Sequence, residues 1–242
     1  MPRLKLTVLS LRYSSWSMRP WLALTHAGAT FDTETVQLPH MQRQANSSND
    51  EPTSLSDRRT LGSIHGLFPV LRVDETPIHE SLAICEYVAD QFPAAGLWPD
   101  DALSRAQARA ISCEMMSGFA NMRGELACHL FGRVPAFTPS AGALADISRI
   151  FELWTDCLNL SGGPFLFGRF CIADAMYYPV LTRFRTYEIP IADAISGYSR
   201  NFEALPAVQK LIKLASSAPL TPIYDDYLRK LGGNPDAALP VI

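Results

Sequence analysis

Ser14, Ser15 and Ser17 crowd three hydroxyls into one stretch, Tyr13-Ser14-Ser15-Trp16-Ser17-Met18-Arg19-Pro20-Trp21-Leu22. A strand-like run over residues 4–9 precedes it, and a helix-like run over residues 18–27 follows. The first N–H groups of a helix have no intrahelical partner, so such a turn favours negative charge. The serines either cap the helix and do nothing more, or hold a bound thiol as its thiolate. Pro69 is a second clue, because a proline inside a strand cannot donate to the ladder. Local sequence favours a plain edge strand. The alternative is a cis Phe68–Pro69 bond beside a ligand, with an extended peptide pairing to the N–H and C=O of Phe68. The third clue is His79-Glu80-Ser81-Leu82-Ala83-Ile84, where an acid and a serine open a helix. Ser81 suits a carboxylate and Glu80 an ammonium, and an amino acid backbone carries both; a simple helix start needs neither.

The elements that must position these residues change character along the chain. Strand over residues 4–9, helix over 18–27 and strand over 33–38 require a parallel pair with a right-handed crossover. A polar tract over residues 40–60 is long for a connection, so it reads as a flap or as a loop with a short helix. Residues 67–73 and 77–78 form a hairpin around Asp74-Glu75, and residues 80–92 an amphipathic helix. Pro93, Gly96 and Pro99 then punctuate the sequence. Beyond Asp101 the periodicity is helical: 102–130 with interruptions at Gly118 and Gly124, then 141–160, 172–187 and 202–215, with an extended tail from Gly232.

In order and spacing these pieces resemble the glutathione transferases, over nearly the whole chain. Ser14-Ser15-Trp16-Ser17-Met18-Arg19 is similar to the serine motif S-S-x-S-x-R of the zeta class and related bacterial members. Phe68-Pro69-Val70-Leu71 is similar to the family's V-P-x-L, Glu80-Ser81-Leu82-Ala83-Ile84 to its E-S-x-A-I, and Phe170-Cys171-Ile172-Ala173-Asp174 to its F-S-I-A-D. The resemblance implies an α/β thioredoxin-like N-terminal domain, residues 1–92, that binds glutathione. An all-α C-terminal helical domain, residues 101–242, would contribute the electrophile pocket. It implies glutathione as co-substrate, a small hydrophobic electrophile as its partner, and a homodimer. Ser14 is the catalytic hydroxyl on this resemblance, with Ser15 the alternative; Phe68 and Pro69 take the peptide backbone through a cis bond, and Glu80 and Ser81 the γ-glutamyl end. A free thiol titrates near ~8.5, and a hydroxyl donor with a helix terminus supplies one to two units of depression, about 1.4 kcal/mol each. Trp16, Met115, Met116 and Phe119 are candidates to line the pocket; equally, the methionines and Phe119 are interdomain core.

The activity implied is thiolate attack on small electrophiles. Alternatives are a glutathione-dependent cis–trans isomerase of the maleylacetoacetate type and a non-enzymatic binding protein of the same fold. Three departures from the family pattern bear on the choice. Leu67 stands where a cation often precedes the proline, and Arg58, Arg59, His40 or His65 are its possible replacements. Phe68 replaces a smaller valine. Cys171 replaces a serine or threonine cap, at roughly ~1 kcal/mol.

Composition sets the outer bounds. The chain has 242 residues, 48% hydrophobic and 19% charged, enough for a sizeable core. A net charge of −3 gives no reason to expect nucleic acid or an anionic membrane. No apolar run approaches a membrane span, and the N-terminus does not read as a signal peptide. Five widely spaced cysteines without C-x-x-C read as reduced thiols of a cytoplasmic protein, and five scattered histidines show no metal spacing.

Overall fold

A computed structural model describes residues 2–38, 59, 63 and 66–237. Its N-terminal part is a sheet of strand order β2-β1-β3-β4. Strand β1, Leu4–Val8, buries every side chain except Lys5, which reaches water and pairs with Glu34 at 3.0 Å. It runs parallel to β2, Phe31–Thr35, with Leu4 opposite Phe31, and antiparallel to β3, Val70–Val73, which pairs in turn with β4, Thr76–His79. Helix α1, Ser15–His26, makes the crossover from β1 to β2 that a parallel pair demands. Helix α2, Ser81–Gln91, follows the hairpin and packs against α1.

The sequence placed the start of α1 at Met18. It begins at Ser15, because the Ser14 side chain accepts from the Ser17 N–H at 3.3 Å and closes the first turn. Pro20 therefore lies inside the helix, where its ring removes one backbone bond. Little polar surface is left on α1: Met18, Trp21, Leu22 and Leu24 are all buried, since α1 lies between the sheet and the helical part.

The remainder is helical: α3 (Ala102–Ser117), α4 (Ala120–Glu125), α5 (Ala141–Ser161), α6 (Ile172–Thr186), α7 (Asp193–Glu203), α8 (Pro206–Ser216) and α9 (Pro222–Lys230). Among the described residues the only pairings here are isolated bridges such as Arg133 with Asn234. The long pattern from Ala102 breaks at Gly118, and Phe119 takes φ 57° to restart the chain as α4. The helix expected over 202–215 is two helices, because Pro206 opens a new one. Helix α6 is buried almost all round and packs on α1, α3 and an aromatic cluster of Trp154, Tyr177, Phe184 and Tyr198. One continuous apolar core joins the sheet to these helices.

Cys171 costs less at the start of α6 than its weak acceptor suggests. The Asp174 carboxylate accepts the Cys171 N–H at 2.8 Å and the Leu166 N–H at 3.1 Å. Nor is the tail loose as far as it is described. Arg12 donates to the Pro235 carbonyl at 3.1 Å and to Asp236 at 2.8 Å. This is a thioredoxin-like domain followed by an all-helical one.

Candidate active site

Two adjoining cavities meet at the start of α1. The larger, about 670 Å³, is lined by Tyr13, Ser14, Ser15 and Trp16 on one side and by Arg123, Gly124, Arg183 and Tyr224 on the other. The smaller, about 190 Å³, is lined by Trp16, Leu67, Phe68, Pro69, Glu80 and Ser81. Trp16, Leu67 and Phe68 belong to both. The three sequence clues are thus brought to one place by α1, the approach to β3 and the start of α2.

Ser14 and Ser15 differ in ways the sequence does not reveal. Ser14 is half-exposed, and its oxygen accepts from Ser17 N–H, which leaves its own O–H to donate. Its backbone N–H bonds the Ser10 carbonyl at 2.9 Å and fixes the turn. Ser15 is buried, and its oxygen receives Arg183 Nη2 at 3.4 Å. The neighbouring Tyr13 hydroxyl is fully engaged: it donates to Asp225 at 2.9 Å and accepts from the Thr221 N–H at 3.2 Å. Burial pushes that phenol well above its ordinary range, so it stays protonated.

At the smaller cavity the Phe68–Pro69 bond is cis. Glu80, exposed, takes φ 70° and ψ 130°, a conformation rare outside glycine, and α2 starts with no side-chain cap. The hydroxyl of Ser81 is buried with no hydrogen-bond partner among the described residues. An uncapped helix start beside an unsatisfied buried hydroxyl is set to receive a carboxylate. No cationic side chain lines this cavity among the described residues. Leu67 is 55% exposed. His40, Arg58 and His65 lie outside the described residues, as does the tract 40–60 apart from Arg59.

Of the residues considered for the far wall, Trp16 faces the cavity. Met115 and Phe119 are buried in the core, and the Met116 carbonyl accepts from Arg123 at 2.9 Å. The break at Phe119 has the physical effect of turning α4 so that Ala120, Arg123 and Gly124 form the wall. Arg123 and Arg183 were not singled out in the sequence. Arg183 did leave a signal, a charge in the middle of the apolar pattern of α6. Two guanidinium groups lie over the Trp16 ring, Arg19 at 4.4 Å and Arg123 at 4.9 Å from its centre. Burial first, then Arg183 and Arg123, pull Arg19 down to about 9, still protonated at neutral pH.

Comparison with known proteins places this geometry in a family. Residues 13–91 match the glutathione S-transferase N-terminal domain, and residues 102–209 the C-terminal domain. Protein IN2-1 of Zea mays is 28% identical over 131 residues, 50% of this chain and 46% of its own length. A probable maleylacetoacetate isomerase of Caenorhabditis elegans is 33% identical over 105 residues, 43% of this chain and 44% of its own length. The chain spans a little under half the length of these curated relatives. A glutathione transferase homologue from Burkholderia, solved with bound glutathione, superposes with a TM-score of 0.65. It is 24% identical and covers 90% of this chain and 100% of its own, a likeness of fold. Matches to both consecutive halves of one family, on a shared fold, show that this chain belongs to the glutathione transferase superfamily.

Proposed function

We propose that this protein is a glutathione transferase that activates the glutathione thiol with Ser14 for attack on small electrophiles. The observation that carries this reading is the half-exposed Ser14 hydroxyl in the wall of the larger cavity, whose hydrogen meets no acceptor among the described residues. In this reading the γ-glutamyl carboxylate takes the N–H and hydroxyl of Ser81, and Glu80 meets the ammonium. The backbone at Phe68 pairs with the cysteinyl unit, and the sulfur reaches Ser14. Ser14 donates to the thiolate, and the positive ends of α1 and of the nearby arginines favour the anion. The thiolate pair then forms a C–S bond as the leaving group departs with its electrons, and binding in the larger cavity supplies proximity.

A Ser81→Ala exchange is expected to weaken glutathione about tenfold in calorimetry, the worth of one charge-assisted hydrogen bond. Unchanged affinity would remove Ser81 from the site. The name of the nematode relative supports a second reading, cis–trans isomerisation. The same thiolate would add to a double bond, allow rotation, and leave with its electron pair. Binding of glutathione without turnover of either substrate type would instead favour a non-enzymatic role. A homodimer and a cytoplasmic setting belong to the same proposal. Light scattering tests the first, and the described cysteines are all free thiols, which is compatible with the second.

A further inference from the structure

Three arginines converge behind the larger cavity, and no carboxylate pairs with any of them among the described residues. Arg19 is 1% exposed, with Nε and Nη1 lacking hydrogen-bond partners. Arg183 is 5% exposed and lies in the cavity wall. Its Nε donates to the Leu126 carbonyl at 2.8 Å and its Nη1 to the Pro179 carbonyl at 3.2 Å. These bonds fix the guanidinium and leave Nη2 with only the long contact to Ser15. Arg123 is half-buried in the same wall. Its Nη1 holds the carbonyls of Met116 and Gly118, at 2.9 and 3.3 Å. The Nε–Nη2 edge, the edge that grips a carboxylate with two parallel bonds, is unused among the described residues. Burial and the charge of Arg183 lower the basicity of Arg123, and no acidic group offsets them.

Collecting like charges in a partly dry wall is unfavourable unless an anion joins them. Of the two glutathione carboxylates, the γ-glutamyl one assigned to Ser81 belongs to the other cavity, and the glycyl one is told apart by the glutathione KM in the test below. Trp16, Ala120, Gly124, Ala127 and Tyr224 give the same cavity an apolar and aromatic stretch that suits a flat hydrocarbon body, while the serines of the turn and Thr221 supply its polar part. We propose that the larger cavity takes a small electrophile bearing a carboxylate, gripped by Arg123 and Arg183, with its reactive end toward Ser14. This inference rests on the transferase reading and adds the substrate class to it. Arg123 and Arg183 are then specificity residues, and the aromatic ring of the ligand lies beside Trp16.

The test compares para-nitrobenzoate with para-nitrobenzamide, nearly the same shape with and without the charge, and neither carrying a leaving group. Calorimetry on the full chain is expected to show the benzoate binding about tenfold tighter or more. Arg123→Gln is expected to bring the two ligands within about threefold, and Arg123→Lys to fall between, because it keeps the charge and loses the fork. Arg183 is buried and its exchange endangers folding, so the half-exposed Arg123 carries the decision. Equal binding of the two ligands, no binding of either, or discrimination untouched in a folded Arg123→Gln protein would each overturn the inference. Turnover of a chlorodinitrobenzoate against its amide separates this from the broader reading. In both, the C–S bond forms and chloride leaves with the C–Cl pair. Equal turnover of the pair leaves the transferase standing and removes the carboxylate site. Benzoate-selective binding without turnover keeps the carboxylate site and removes the transferase. A rise in the glutathione KM of Arg123→Gln with no change in the benzoate-to-amide ratio would reassign the arginine to glutathione and overturn the inference.

Discussion

Replacing Ser14 by alanine removes the half-exposed hydroxyl of the turn, the one proposed to donate to the thiolate. Turnover at neutral pH is expected to fall about ten- to hundredfold, matching one to two units of thiol pKa. The loss shrinks as pH rises, since hydroxide then makes the thiolate unaided. Glutathione affinity is expected to change little, because on the proposed reading its other contacts are at Phe68, Glu80 and Ser81. Ser15→Ala is expected to do less, because Ser15 is buried while Ser14 is half-exposed. Wild-type turnover in a folded Ser14→Ala protein at neutral pH would rule the mechanism out. At this scale the half of the site proposed for glutathione is legible in sequence, because each of its pieces is local: a serine turn, a proline in a strand, an acid and serine at a helix start. The electrophile half is not. Arg123 and Arg183 come from different helices and meet Trp16 only through packing, which no local pattern encodes. Even the ordering of Ser14 over Ser15 depends on which of the two packing buries.

Helix boundaries follow the same logic. Ser14, Asp101 and Ser140 each accept an N–H three residues on, so α1, α3 and α5 start where a side chain can cap them. Gly118 and Pro206 mark breaks that apolar periodicity alone passes over, as it did in the run over 202–215. The sequence hid the cap of α6 because the acceptor is Asp174, one turn inside the helix, and not the residue at its head. Asp174→Ala leaves the N–H groups of Cys171 and Leu166 buried and unpaired, at an expected cost of about 3 kcal/mol in chemical denaturation. Burial pushes the Asp174 carboxyl up to about 6, so the neutral amide of Asp174→Asn is expected to cost distinctly less. Equal stability of the alanine variant and wild type would show that α6 is held by packing alone.

Across the whole molecule, the serine turn is tied to α9. Asp225 Oδ1 takes the Tyr13 hydroxyl and His129 Nε2, both at 2.9 Å, and Tyr13 stacks on Tyr224 at 5.3 Å. Burial pulls His129 below its ordinary 6.5, outweighing the nearby Asp225 carboxylate. Burial alone raises Asp225, but the hydrogen bonds from His129 and Tyr13 bring it down overall. Both shifts act in one direction. The unfolded chain takes up protons that the fold resists, so stability is lost as pH falls, first below the ordinary histidine value and again below that of aspartate. His26, lowered by burial, adds to the first loss. Between about pH 7 and pH 5 these histidines lower the melting temperature, whereas Asp174, raised by burial to about 6, takes up a proton in the fold and opposes them, so the check is the difference between wild type and His129→Gln, which is expected to shrink as pH falls; a constant difference would show that His129 titrates alike in both states. The division into a mixed part and a helical part is plain in the sequence, since it needs only a change of period. This clasp is not, since Tyr13 and Asp225 stand 212 positions apart. During synthesis the serine turn and the cradle at Phe68 and Ser81 leave the ribosome long before Thr221 and Tyr224, which complete the opposite wall. A half-made chain therefore lacks one wall of the larger cavity and the helices on which α1 packs, and on the proposed reading chemistry begins only once translation has delivered them.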